Sequence, residues 1–416
     1  MPPQTPAPAA PRDVALVGGR VLRLTPEWAG EQEDATVLLR EGRIAAVGAG
    51  VEVPAGAEVV DVAGAWVLPG FVEAHTHLGV HAEGEGWHGA DVNEKGLAGA
   101  RLRSLDGLDP GDRGFADALA GGVTTAMILP GSGNVVGGQT AAVKTWGRTV
   151  EEMLLRAPVG VKSALGENPK RGGGSAPTTR MGVAASLRDA FAAAQRFAAR
   201  RGRAAAAGDP VDPAVDAERD QEVLARVLAG ELVWQQHAHR ADDITTAVRL
   251  AEEFGYPLVL NHVTEGHLVA GMLAERGLPA VVGPLLTSRS KPELRNRSVA
   301  VPGLLAAAGV RIALTTDHPV VPIQFLALSA TLAVKEGLDR DEALRALTVN
   351  PARILRLDDR VGSLAPGLDA DVVVWSGDPL DVMSRALRVF VGGRQVYRWA
   401  DGDGVVADPG TGARGV

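Results

Sequence analysis

Residues 69–77 read Pro-Gly-Phe-Val-Glu-Ala-His-Thr-His. On an extended chain, side chains two apart share a face, so His75 and His77 project together while Thr76 points away. Two imidazoles side by side at the end of an early strand begin a divalent-metal site. Downstream, apolar runs recur at 122–130, 158–165, 231–238, 257–263, 279–285 and 310–317, separated by amphipathic stretches such as ITTAVRLAEEFG and VPGLLAAAGV. Strand–helix alternation from 68 to 361 predicts an α/β architecture of parallel strands with the length of a (β/α)8 TIM barrel. A doubly wound sheet is the main rival, yet no G-x-G-x-x-G follows an early strand.

The remaining histidines sharpen this picture. His237 and His239 close the 231–238 run, His262 closes 257–263, and Asp317 with His318 closes 310–317. Of the nine histidines, six sit at strand ends: His75, His77, His237, His239, His262 and His318. In a barrel those ends gather at one mouth, which scattered structural histidines would not do.

The flanks have another character. Residues 13–67 and 362–416 are Val-rich, broken by Gly-containing turns, and predict one two-part β domain assembled from both ends around the 68–361 barrel. Residues 1–12 read as a disordered Pro/Ala tail, 168–182 as a loop, and 200–216 as a low-complexity insertion.

Composition narrows the function. The 416 residues contain no cysteine, which excludes disulfides, thiolate metal ligands and a thiol nucleophile. A net charge of −8 gives little support to a nucleic-acid surface. No run of 18 apolar residues and no secretory signal pattern is present, so a cytoplasmic protein with no membrane partner is expected.

The H-x-H pair followed by His, His and Asp at successive strand ends resembles the amidohydrolase superfamily, and more closely its imidazolonepropionase-related members. The strings VLPGFVEAHTHL, VNPARILRLDDRVGSLAPGLDADVVVW and VGGRQVYR carry the resemblance along nearly the whole chain. It implies a barrel beside a β-sandwich, a small-molecule substrate and a homo-oligomer. It also implies one or two divalent ions, zinc foremost, with iron and manganese fitting the same donors.

By position, the resemblance makes His75, His77, His237, His262 and Asp317 metal ligands. Asp317 becomes the base, and then the acid, for metal-bound hydroxide attacking a C–N bond of an amide, cyclic amide or peptide-like substrate. Many members supply a carbamylated lysine from strand 4; here Glu167 is the expected ligand and Lys162 the alternative. His239, Arg240 and His318 are the candidate substrate contacts. A deaminase of the same superfamily is the alternative activity, with a non-catalytic scaffold more remote.

Overall fold

The computed structural model describes residues 13–25, 27, 30–84, 90–94, 99–171, 177–207, 218–409 and 414–415. The expected tail at 1–12 lies outside them. One ten-stranded sheet joins the two ends of the chain. Its seam is the antiparallel pairing of Trp66–Pro69 with Val372–Trp375, in which Val67 faces Val374. Alternate side chains of these Val-rich strands, among them Leu16, Val37, Leu39, Ile44, Val67, Val372 and Phe390, form one buried cluster. That burial is what the two ends gain by meeting.

The middle of the chain builds two further sheets. One contains Phe71–Thr76, Val123–Ile128, Ala141–Lys144 and Leu154–Arg156. The other contains Val136–Gln139, Gly160–Ala164, Val233–Ala238, Leu258–His262, Ala280–Val282 and Ile312–Leu314. The last five strands of that sheet run parallel. Helices follow them, including Arg180–Ala207, Ala241–Phe254, Ala270–Glu275, Val301–Ala307 and Leu326–Lys335. Two segments depart from the expected parallel pattern: Val136–Gln139 lies antiparallel to Gly160–Ala164, and Ala141–Lys144 antiparallel to Val123–Ile128.

Residues of opposite parity separate the two sides of the strands. Trp234, Leu258, Leu260, Val282 and Leu314 pack in the cluster that includes the helices' apolar faces. Val72, Ala74, Met127, Val233, Val259, Val281 and Ala313 form a second buried cluster on the inner side. The inner row passes from Ala164 to His237, Asn261, Val281 and Ala313.

The expected insertion at 200–216 begins as helix instead, since Arg180–Ala207 continues to its last alanines. Ala and Arg are strong helix formers, which accounts for the extension; residues 208–217 lie outside the described set. Lys144 sits at the junction of the end sheet with the central strands, paired with the buried Asp369 and Asp371.

Gly70 is the joint between the end sheet and the His75 strand. A Cβ there would lie 2.0 Å from Thr124 Oγ1 and 2.7 Å from Thr124 Cβ. Gly70→Ala should therefore lower stability by about 1–3 kcal/mol through overpacking. The check is the urea midpoint; an unshifted midpoint would mean the Thr124 strand yields freely.

Candidate metal centre

Two groups of donors meet at the ends of the central strands: His75, His77 and Asp317, and His237, His239 and His262. His75 Nε2 lies 3.3 Å and His77 Nε2 3.4 Å from Asp317 Oδ1. In the second group the ring centroids are 4.4 Å (His237–His262), 4.7 Å (His237–His239) and 4.7 Å (His239–His262) apart. The His75 and His262 rings, 4.8 Å apart, join the groups. Lys162 Nζ, fully buried, stands 3.2 Å from His75 Nε2.

Local backbone features aim these side chains. Between Glu73 and Thr76 the first strand advances three residues while its neighbour, Ala126 to Ile128, advances two. This β-bulge shifts the alternation, so Ala74 packs in the inner cluster and His75, one residue later, also reaches the site. His262 is paired in register with Ala238 and Val282, both of the outer cluster. Its φ of +75°, followed by +43° at Val263, turns the chain as the strand ends and delivers the ring to His237.

Asp317 has φ +53° and is held by a net of hydrogen bonds. Its N–H donates to Thr315 Oγ1 (3.0 Å), whose hydroxyl donates to the His75 carbonyl (2.7 Å). Thr316 donates to the buried Glu73 Oε2 from both its N–H (2.9 Å) and its hydroxyl (2.7 Å), and His75 N–H donates to Glu73 Oε1 (3.1 Å). Glu73 thus ties the strand that carries the H-x-H pair to the segment that carries Asp317.

The hydrogen-bond partners fix which imidazole nitrogens are free. A carbonyl oxygen can only accept, so His77 Nδ1–H donates to Leu129 O (2.8 Å) and His262 Nδ1–H to Gly283 O (2.9 Å). That leaves each Nε2 lone pair toward the cluster. Several buried atoms there have no partner among the described residues: His75 Nδ1, both ring nitrogens of His237, and His239 Nε2. Burial without partners is costly, and convergent orphaned lone pairs fit divalent ions.

Burial holds His237, His239 and His262 well below the usual imidazole range, and His75 is lowered to about 3. All are therefore neutral, the form in which an imidazole can bind a metal. Burial would raise Asp317, but its close contacts with His75 and His77 keep it well below the usual carboxylate range. Lys162 is pushed down to about 7, by burial first and with Lys291 acting in the same direction.

The candidate residues divide accordingly. His75, His77, His237, His262 and Asp317 come together. Glu167, expected as the strand-4 ligand, stands outside both donor groups, its carboxylate paired with Lys170 (2.8 Å) and Arg180 (2.8 Å). Gly166, with φ +85°, turns the chain away just before it. His239, read as a substrate contact, stands within the second donor group, where its ring stacks on His262 at 17°. Its spacing from His237 repeats that of His75 and His77, a signal present in the sequence. Arg240 turns to Asp242 (2.8 Å). His318 is buried, accepts from Ile323 N–H at Nδ1 (3.3 Å) and presents Nε2 to Glu83 Oε2 (3.5 Å).

An α/β strand array like that of a TIM barrel, with histidines and an aspartate gathered at its strand ends, defines a class of hydrolytic enzymes. Residues 66–396 match the Amidohydrolase family, and the chain belongs to it. An amidohydrolase from Thermotoga maritima MSB8, known from its crystal structure, is 42% identical with a TM-score of 0.88, covering 93% of this chain and 100% of that one. Imidazolonepropionase of Maricaulis maris (strain MCS10) is 30% identical over 384 residues, 82% of this chain and 87% of that protein. Amidohydrolase tasK of Hapsidospora irregularis is 31% identical over 383 residues, 86% of this chain, which spans only 38% of tasK. The protein is accordingly a hydrolytic enzyme with a mixed α/β, TIM-barrel-like fold, from a family that generally uses a divalent metal. No helix among the described residues is long and apolar enough to cross a membrane.

Proposed function

We propose that the protein hydrolyses a C–N bond of a small molecule, an amide, cyclic amide or peptide-like bond, at a centre for two divalent ions. The observation that carries this reading is the pair of adjoining three-donor groups, with Lys162 against one and its charge felt by all three histidines of the other. His75, His77 and Asp317 would hold one ion and His237, His239 and His262 the second; zinc suits these donors, as do iron and manganese. Bound there, such ions would polarise the scissile carbonyl and acidify water.

The chain's own groups supply the rest. Asp317, kept ionised, takes the proton of the attacking water and returns it to the departing nitrogen. Lys162 supplies the strand-4 ligand: its unprotonated amine adds to carbon dioxide, one proton is released, and a carbamate results. Glu73 and the Thr315–Thr316 pair hold Asp317 at its post. The scaffold for this chemistry is a (β/α)8 barrel over 68–361, its third strand reversed, beside a β-sandwich from 13–67 and 362–416.

Metal analysis by plasma mass spectrometry, after reconstitution with zinc or manganese in bicarbonate buffer, tests the centre directly. About two ions per chain, with turnover of at least one member of an amide and dipeptide panel, is the expected result. No bound metal and no turnover would end the reading.

A further inference from the structure

Three of the basic side chains near the strand-end mouth are matched by neighbours. Lys170 pairs with Glu167, Arg180 with Glu167 and Asp243, and Arg240 with Asp242. Lys291 is placed differently. It lies in the connection between Ala280–Val282 and Val301–Ala307, and its side chain is only 19% exposed. Its ammonium has two long contacts, Asn168 Oδ1 and Glu293 Oε2, each at 3.4 Å. An ammonium carries three donors, so a further N–H has no partner among the described residues.

The segment that carries Lys291 is fixed in place. Glu293 is fully buried, and its Oε1 accepts the Glu167 N–H at 2.8 Å. A Cβ on Gly166 would meet that same oxygen at 2.2 Å, so the two connections are in close contact there. Lys291 is therefore held beside the connection that leaves the Lys162 strand. Its charge also opposes protonation of His237, His239, His262 and Lys162, which places it toward the donor groups.

We propose that Lys291 is the anchor for a carboxylate of the substrate, which makes the preferred substrates N-acyl amino acids or dipeptides cleaved at the bond beside their terminal carboxyl-bearing residue. The inference rests on the hydrolase reading above and narrows its substrate class. A fixed, mostly buried ammonium with a spare donor loses little freedom when it binds an anion, and a charge-assisted hydrogen bond there is stronger than a neutral one. The Asn168 and Glu293 contacts are long enough to shorten or yield as the carboxylate arrives.

The test uses metal-loaded enzyme with alanyl dipeptides and N-acetyl amino acids, each as free acid and as C-terminal amide. Wild-type enzyme should prefer the acids. Lys291→Met should lower kcat/KM on the acids by about 10- to 100-fold, mostly through KM, and collapse the acid-over-amide preference. Lys291→Met/Glu293→Gln removes both charges of the pair and should show the same acid-specific loss, which separates recognition from misfolding. Equal use of acids and amides by wild type, or an equal loss on both in the variants, would overturn the anchor. Absence of turnover on every compound would count against the hydrolase reading alone. The anchor is then decided by calorimetric binding of N-acetyl-L-alanine against its amide, where tighter acid binding that Lys291→Met abolishes supports it and equal binding overturns it.

Discussion

Asp317→Asn should lower kcat by on the order of 10³- to 10⁴-fold, the upper range for a positioned proton-transfer group, while metal stays bound. Asn preserves the shape of the side chain, so the hydrogen bond from Asp317 N–H to Thr315 and the left-handed turn at φ +53° should survive. What disappears is the negative charge that faces His75 Nε2 and His77 Nε2 at 3.3 and 3.4 Å, and with it any capacity to take a proton. Five histidines remain to hold metal. Steady-state kinetics and metal content on the same preparation decide the matter: a kcat within tenfold of wild type would remove Asp317 from proton transfer. Loss of metal together with activity would reduce it to a ligand.

The sequence exposes some of this site and conceals the rest for physical reasons. The H-x-H pair and the placement of His237, His262 and Asp317 at strand ends follow from alternation and run length alone. The route His262 takes to the centre does not, because its pairing puts it in register with outer-cluster residues and only a positive φ redirects it. The bulge at Glu73–Thr76 is equally silent, since nothing in the residue types of a short apolar run marks an extra residue. The reversed segments Val136–Gln139 and Ala141–Lys144 escape for a similar reason: apolar periodicity reports a strand and says nothing of its direction.

Glu167 shows a different limit of reading position from sequence. A carboxylate just past a strand end is the kind of residue that lines such a mouth. Yet the φ of +85° at Gly166 sends the chain aside, and Lys170 and Arg180 capture the carboxylate. Lys162 appears too early along the same strand when counted in residues. Register changes that impression: Lys162 pairs with Gln235 and Ala164 with His237, so Lys162 shares the face of His237 one step deeper. A long side chain closes the remaining distance, as its 3.2 Å contact with His75 shows.

That contact leads to the second large effect. Lys162→Met keeps most of the buried volume and removes the amine, and should cut kcat/KM by on the order of 10³-fold, as expected when several kcal/mol of metal-centred charge stabilisation is lost. Burial sets up the chemistry. Burial pushes its pKa down to about 7 against the opposing pull of Asp317, so the amine is largely unprotonated in mildly alkaline buffer, the form that adds to carbon dioxide. Metal-depleted wild-type protein reconstituted in carbon dioxide-free buffer should regain less metal and less activity than in bicarbonate. Lys162→Met should show no such dependence and a lower metal content in both. Glu167→Gln, which alters only ion pairs outside the donor groups, should keep its metal and respond to bicarbonate as wild type does. The opposite pattern, with metal lost from Glu167→Gln and retained by Lys162→Met, would return the strand-4 ligand to Glu167 and require its connection to swing inward when metal binds.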